Sequence, residues 1–509
     1  MVIILNFGSQ FAHLIARRVR ELGVKAEILP FDASLAQIIS FNPAGIILSG
    51  SPASVLEKGS PRPYKGVFNL GIPVLGICYG EQVMAHMLGG SVQKGANREF
   101  GKEILITSRN ALFRGLKNKE VVWFSHGDQV TRIPRGFTVT ASTQRCRYAG
   151  MANEEKNLFA IQFHPEVTHT EHGMNVLSNF LFRICKAQKD WKLNKVLPEL
   201  RSSLQKTVGR EHVVIGISGG VDSLVAATIL YKAIGRQLHA VFVDTGLLRK
   251  GEVEAVSKSL RKQGFKNLYV VDARNLFLGR LKSKTDPEEK RKIIGHTFID
   301  VFQETIKKKL KKYPIKFLAQ GTIYPDRIES AEASKHASKI KSHHNLTLPK
   351  TLNLKILEPL KDFYKDEVRE LGKLLGLPKE LLWRHPFPGP GLAVRIVGEI
   401  TPEHLNILRE ADAVFLDELR RSKEYDKIWQ AFAVLLPLRS VGVMGDARTY
   451  DHMIALRAVD SIDGMTADWH KIPPQILERI SSRIVGEVRG VNRVLYDITQ
   501  KPPATIEYE

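Results

Sequence analysis

Short apolar runs at residues 2–6, 24–29, 45–48 and 73–77 alternate with stretches such as Phe11 to Leu22, where apolar residues recur at helical spacing. Strands alternating with helices predict a parallel sheet covered on its faces. This first unit closes near Arg183, after the apolar, helix-like Val176 to Ile184. Lys186 to Leu204 is polar and lysine-rich, with Trp191 and Pro198, and reads as a connector or an exposed helix. A second alternation starts at Val213 and continues through Leu238 to Val243, Leu268 to Val271 and Ile315 to Leu318. Around residue 385 the chain turns to His-Pro-Phe-Pro-Gly-Pro-Gly, too proline-rich for a helix or a central strand, which sets a boundary. Beyond it a long helix near Pro402 to Arg421 mixes with short strands. The expectation is α/β: two successive parallel-sheet α/β domains, 1–190 and 191–385, followed by a smaller α+β domain, 386–509.

The length of 509 residues fits about three domains at ~150 residues each. Apolar residues at 43% and charged residues at 25% are ordinary for a globular chain, and runs such as Ala431 to Leu438 fall short of the ~20 residues that span a bilayer. No membrane partner is expected. The chain opens as strand-like Val2-Ile3-Ile4-Leu5 without a basic leader, so no secretory signal is expected. Cys78, Cys146 and Cys185 show no paired spacing for zinc or disulfides, which fits a cytoplasmic location. The formal net charge is +22, which alone favours polyanions. Lysines and arginines are nevertheless spread along the whole chain, the densest run, Lys307 to Lys312, falls at an expected helix end, and no recognition helix or RNA-binding motif is present. No nucleic-acid partner is expected.

Candidate chemistry appears at two strand ends. Gly216-Ile-Ser-Gly-Gly-Val-Asp-Ser223 lies between the apolar Val213-Val214-Ile215 and the helix-like Leu224 to Ala227. Gly219 and Gly220 let backbone N–H groups converge, the next helix aims its positive end at the same spot, and Ser218, Asp222 and Ser223 add polar side chains. A lone Gly-Gly is commonly a plain turn; these neighbours make it a phosphate site. No Gly-Lys-Ser/Thr follows, so it is not a Walker loop. It resembles instead the pyrophosphatase loop of enzymes that split ATP between the α and β phosphates.

The other strand end is Gly76-Ile-Cys-Tyr-Gly80, after Ile72 to Leu75 and before the helical Glu81 to Leu88. Flanking glycines permit a sharp turn that lifts Cys78 from the sheet edge, and the helix N-terminus favours a thiolate. An isolated cysteine is by default a buried structural residue. A base is nevertheless at hand in Phe159 to Glu166, where extended chain would put His164 and Glu166 on one face, Glu166 orienting the imidazole that serves Cys78.

Gly-Ile-Cys-Tyr-Gly and Gln-Phe-His-Pro-Glu together resemble the class I glutamine amidotransferases. The resemblance implies Cys78, His164 and Glu166 as a triad that frees ammonia through a glutamyl thioester. It further implies backbone N–H groups at Gly50 and Tyr79 for the oxyanion, and Gln82, Ser125, His126 and Asp128 around the glutamine substrate. Ser51 stands where the family usually has a second glycine.

An ammonia-releasing unit joined to an adenylylating one resembles the glutamine-hydrolysing GMP synthetase family, and the similarity runs from residue 1 to 509. Phe7-Gly8-Ser9-Gln10, Gly321 to Asp326, Ser342-His-His-Asn345, Val441 to Asp446 and Lys501 to Glu507 carry it. The resemblance implies conversion of XMP, ATP and glutamine to GMP, AMP, pyrophosphate and glutamate. ATP would sit on Ser218, Gly219, Gly220, Val221, Asp222, Ser223 and Leu224, with Mg2+ accompanying it on Asp222. XMP would meet Arg291, Lys501 and Glu507, although Arg291 read by itself is a solvated charge. The third segment would form a homodimer, and residues 342–345 a lid over ATP. Here Leu346-Thr-Leu-Pro349 replaces the commoner Val-Gly-Gly-Leu-Pro, one residue shorter. Two rival readings are an RNA-modifying enzyme with the same ATP loop and an NAD synthetase, whose usual glutaminase lacks the Gln-Phe-His-Pro-Glu arrangement.

Overall fold

The computed structural model describes residues 1–9, 11–108, 110–327, 354–444, 447–461 and 466–509. Gln10, Ser342 to Asn345, the shortened stretch Leu346 to Pro349, Gly445 and Asp446 lie outside the described residues.

The chain forms two compact units, Met1–Val196 and Leu197–Glu509. The first is built on strands β1 (Val2–Asn6), β2 (Ala26–Pro30), β3 (Gly45–Leu48), β4 (Val74–Ile77), β5 (Ser91–Thr107), β6 (Lys119–Arg132), β7 (Thr138–Ser142), β8 (Gly150–Asn153) and β9 (Leu158–Ile161). They make one sheet in the order β2-β1-β3-β4-β9-β8-β7-β5-β6. β2, β1, β3, β4 and β9 run parallel, and each of these strands but β2 is buried along its whole length. Burial on both faces is why they read as uninterrupted apolar runs. The sheet then continues antiparallel through β8, β7, β5 and β6. β6 alternates buried with half-buried positions along most of its length, and only Val121 to Phe124 in its first half is an apolar run.

In the second unit β10 (His212–Ile217), β11 (Leu238–Asp244), β12 (Leu268–Asp272), β13 (Ile315–Ala319) and β14 (Lys355–Leu357) form a wholly parallel sheet in the order β12-β11-β10-β13-β14. The chain leaves β10 for β11 on one side and returns to β13 on the other, so the carboxyl end of β10 is the switch point where such sheets bind ligands. The long helix Pro287–Lys309 is capped by the Asp286 side chain on the Glu289 N–H, and its last turn carries Lys307, Lys308 and Lys309 against the negative helix end.

The segment after residue 385 adds the helix Pro402–Arg421, a long antiparallel pair of β15 (Gln430–Met444) and β16 (Ala447–Asp460), the short β17 (Asp468–Trp469), and β18 (Val491–Asp497), parallel to β16. Its apolar residues Leu408, Phe415, Ala433 and Ile480 share one core with Val214 and Val241 of the preceding sheet and with Phe302 of the helix Pro287–Lys309. The polar stretch Lys186 to Leu204 becomes in part the helix Leu193–Val208, which crosses the junction of the units.

Candidate active site

β3, β4 and β9 are neighbours in register, so the residues that leave their carboxyl ends emerge side by side, about 5 Å apart. Those residues are Gly50, Cys78 and His164. Cys78 caps the helix Tyr79–Met87 and adopts φ 55° and ψ −107°, a conformation that ordinary side chains avoid. Its N–H is pinned to the Ile161 carbonyl at 2.8 Å and its thiol donates to the Ser125 carbonyl at 3.7 Å. The positive φ belongs to the cysteine itself. The flanking glycines act instead through close approach. A Cβ on Gly76 would lie 2.5 Å from the Gly80 carbonyl oxygen, and one on Gly80 would lie 2.4 Å from that of Leu48.

His164 and Glu166 are both buried, and Nδ1 of His164 meets Oε1 of Glu166 at 2.6 Å. The strand ends at Ile161, so the pair is formed by a turn and not by the two-residue period of extended chain. Thr170 Oγ1 donates to the His164 carbonyl at 2.6 Å, the His164 N–H binds the Trp123 carbonyl at 3.0 Å, and the Phe11 ring lies 4.5 Å from the imidazole. With Nδ1 committed to the carboxylate, Nε2 is the ring nitrogen left to serve Cys78. Burial opposes charge on His164, but the Glu166 carboxylate and Cys78 outweigh it and hold the imidazole well above its ordinary value. The arrangement can therefore hold a charged imidazole beside Cys78.

A Cβ built on Gly50 would lie 3.4 Å from His164 Cε1 and 3.9 Å from Cys78 Cβ, which places Gly50 on the rim of the reacting centre. Its carbonyl is held by Ser49 Oγ at 2.9 Å. Ser51 is not among the residues with positive φ, and its hydroxyl accepts from Ala53 N at 3.1 Å, so a side chain is accommodated at this position. Tyr79 occupies the first helical position, whose N–H has no acceptor within the helix.

β6 returns across this centre, bringing Ser125, His126 and Asp128. His126 and Asp128 take buried positions of the alternation. His126 Nδ1 lies 2.9 Å from the Asp128 carbonyl, and burial, then the charge of His164, lower its pKa to about 4, so the ring stays neutral. Asp128 also accepts from the Ser54 hydroxyl. The Gln82 amide nitrogen donates to the Asp128 carbonyl at 2.7 Å and to Gln162 Oε1 at 3.1 Å, bracing helix against strand. Sequence reasoning missed Glu81. Its carboxyl is fully buried with neither oxygen hydrogen-bonded among the described residues, and burial, then Cys78, push its pKa far up. Both causes favour its uncharged form beside Cys78.

In the second unit Ser218, Gly219 and Gly220 turn from β10 into the helix Val221–Ile234, with Gly219 at φ +77°. The turn's own hydroxyls meet its N–H groups: Ser218 Oγ accepts from Gly220 N at 3.2 Å and Ser223 Oγ from Ser218 N at 3.3 Å. An incoming phosphate oxygen would replace them as acceptor. Val221 and Leu224 are buried and contribute backbone to the first turn. Beyond the end of β13, Gly321 presses against the loop, where a Cβ would sit 3.1 Å from Ser223 N. Asp222 Oδ2 faces Lys365 Nζ at 3.4 Å, while Oδ1 is buried without a hydrogen-bond partner among the described residues. An orphaned carboxylate oxygen beside a phosphate cradle suits a hard cation.

Arg291, Lys501 and Glu507 all lie on or against the chain end. Arg291 Nη2 donates to the Glu509 carbonyl. Lys501 pairs through its backbone with Ala467, at 2.8 and 3.0 Å. Glu507 is gripped by Arg395 at 2.9 and 3.0 Å and by Gln430 at 2.7 Å. Arg395 is fully buried and lies over Phe432. It was overlooked, although a lone arginine within the apolar Gly391 to Val397 signals a buried, paired charge.

Comparison with known proteins agrees with this layout. Residues 3–184 match the family model described as glutamine amidotransferase class-I, 192–270 that of NAD synthase, and 417–508 that of GMP synthase C terminal domain. Proteins named GMP synthase (glutamine-hydrolyzing) from Carboxydothermus hydrogenoformans, Thermosipho africanus and Aquifex aeolicus are 55%, 54% and 53% identical to the chain. Each alignment covers 100% of this chain and 99% of the relative. The NAD synthase match spans only the phosphate-loop region, whereas these relatives run through the cysteine elbow, the loop and the clasped tail alike. The chain therefore belongs to the glutamine-hydrolysing GMP synthase family.

Proposed function

We propose that this chain makes GMP from XMP, ATP and glutamine, and that the carrying observation is a cysteine–imidazole–carboxylate set on the same polypeptide as an adenylylating phosphate loop. In the first half-reaction the Cys78 thiolate attacks the glutamine amide carbon. The developing oxyanion is met by backbone N–H groups at Gly50 and Tyr79, and the His164 imidazolium gives its proton to the departing ammonia. Glu166 keeps the imidazole in the tautomer and orientation this needs. Water then releases glutamate from the thioester, with His164 as base. Ser125, His126 and Asp128 frame the glutamine, and Gln82 braces that frame.

In the second half-reaction the 2-oxygen of XMP attacks the α-phosphorus of ATP and pyrophosphate departs onto residues Ser218 to Leu224. Ammonia adds at the purine carbon, AMP leaves with the oxygen, and GMP remains. Asp222 suits a Mg2+ ion, which when bound neutralises charge on the phosphates. Arg291, Lys501 and Glu507 hold XMP, joined by Arg395 and Gln430 through their grip on Glu507. The functional segments are 1–190, 191–385 and 386–509. We assign the last to homodimer formation, and the enzyme to the cytoplasm with no nucleic-acid partner; no described helix is long and apolar enough to cross a membrane.

The test is stoichiometry with XMP, ATP, magnesium and glutamine. One AMP, one pyrophosphate and one glutamate per GMP is the expected result. ADP with phosphate, or amination of deamido-NAD in place of XMP, refutes the reading.

A further inference from the structure

Lys290 projects from the helix Pro287–Lys309 and is fully buried. An ammonium without water needs both a counter-charge and hydrogen-bond acceptors. It meets the Ile396 carbonyl at 3.0 Å and the side-chain carboxylate of Glu509. The other carboxylate oxygen of Glu509 accepts from the Gly398 N–H at 3.0 Å, and its carbonyl accepts from Arg291 Nη2. One residue thus ties three separate elements together: the helix that carries Arg291, the turn that follows Arg395, and the tail that carries Glu507. The Glu509 side chain is only 6% exposed.

We propose that Glu509 is a positioning residue for XMP. By neutralising Lys290 it docks residues 501–509 so that Arg291 and Glu507 are held in one preformed arrangement before the ligand arrives. This rests on the reading of the tail as part of the XMP site. The role of Glu509 is indirect: both carboxylate oxygens are occupied by protein donors, which leaves it no favoured contact with ligand.

The experiment uses the full chain and measures XMP binding by calorimetry, KM for XMP with ammonia as nitrogen source, thermal unfolding, and glutamate release. Glu509→Gln and Glu509→Leu should weaken XMP binding at least about ten-fold through lost preorganisation, with kcat at saturating XMP and glutamate release little changed. The double variant Lys290→Met with Glu509→Leu replaces the ion pair by an apolar pair and should return XMP affinity to within about three-fold of the parent. Single variants that fold and bind XMP with undiminished affinity overturn the proposal. So does a double variant that regains the parent's melting temperature yet still binds XMP weakly, because Glu509 would then act by charge and not by docking. A parent enzyme that fails to bind XMP at all sinks the functional reading first, and this inference with it.

Discussion

Gly80→Ala is the sharpest test of how the nucleophile is held. The added methyl would lie 2.4 Å from the Leu48 carbonyl oxygen and 2.8 Å from Leu48 Cβ, at the end of a fully buried strand. Ordinary contact needs about 1 Å more, and neither backbone can supply it without moving the helix Tyr79–Met87 off the sheet. Overpacking of this kind destabilises by about 1–3 kcal/mol, and a displacement near 1 Å at a reacting centre lowers rate by roughly 10²-fold. Glutamate release should therefore fall about a hundredfold, while GMP formation from added ammonia, which relies on the other unit, persists. Gly295→Ala is the control. It also lies within a helix, but a Cβ there meets nothing within 4 Å, so it should stabilise by about 1 kcal/mol. Both are read by thermal unfolding together with a glutamate assay. A Gly80→Ala enzyme that keeps most of its glutaminase rate refutes the close-packing account of the elbow.

Two further outcomes follow from the charges. Glu166→Gln removes the main support for the charged imidazole, so the pKa of His164 falls and the alkaline limb of kcat/KM for glutamine moves to lower pH, with a rate loss of about 10²- to 10⁴-fold. Because the folded value is raised, the pair stabilises the fold fully below the ordinary 6.5 and loses that contribution as pH rises through the elevated value; the variant should show a flatter stability profile across that window. Asp222→Asn keeps the shape of the loop but removes the charge of the orphaned oxygen, so the magnesium concentration needed for half-maximal AMP formation should rise about 10- to 100-fold with glutamate release unaltered; an unchanged magnesium requirement refutes the placement.

The parts legible in the chain were those whose cause is local. Strands buried on both faces announce themselves as continuous apolar runs, and the Gly219 turn follows from backbone freedom that no other residue type offers. The reacting groups were legible too, since cysteine between glycines and histidine near glutamate carry their chemistry in their spacing. The reason assigned to the second pair was incomplete, because a turn and not an extended strand joins His164 to Glu166. The rim strand β6 was missed because its apolar run, Val121 to Phe124, gives way to the polar Ser125 to Gln129, whose place in the sheet is fixed by pairing with β5.

By itself, then, the sequence determined the two loops that carry the nucleophile and the phosphate cradle and the parallel strands that lead into them, since dihedral preference and side-chain period act over a few residues. Only the tertiary structure decided that β3, β4 and β9 lie side by side, so that residues 50, 78 and 164 converge, and that Glu507 and Glu509 return to Arg395, Lys290 and Arg291. Strand order and tail docking depend on closing loops of up to 219 residues around a buried charge, and no window of local sequence contains both ends of such a contact.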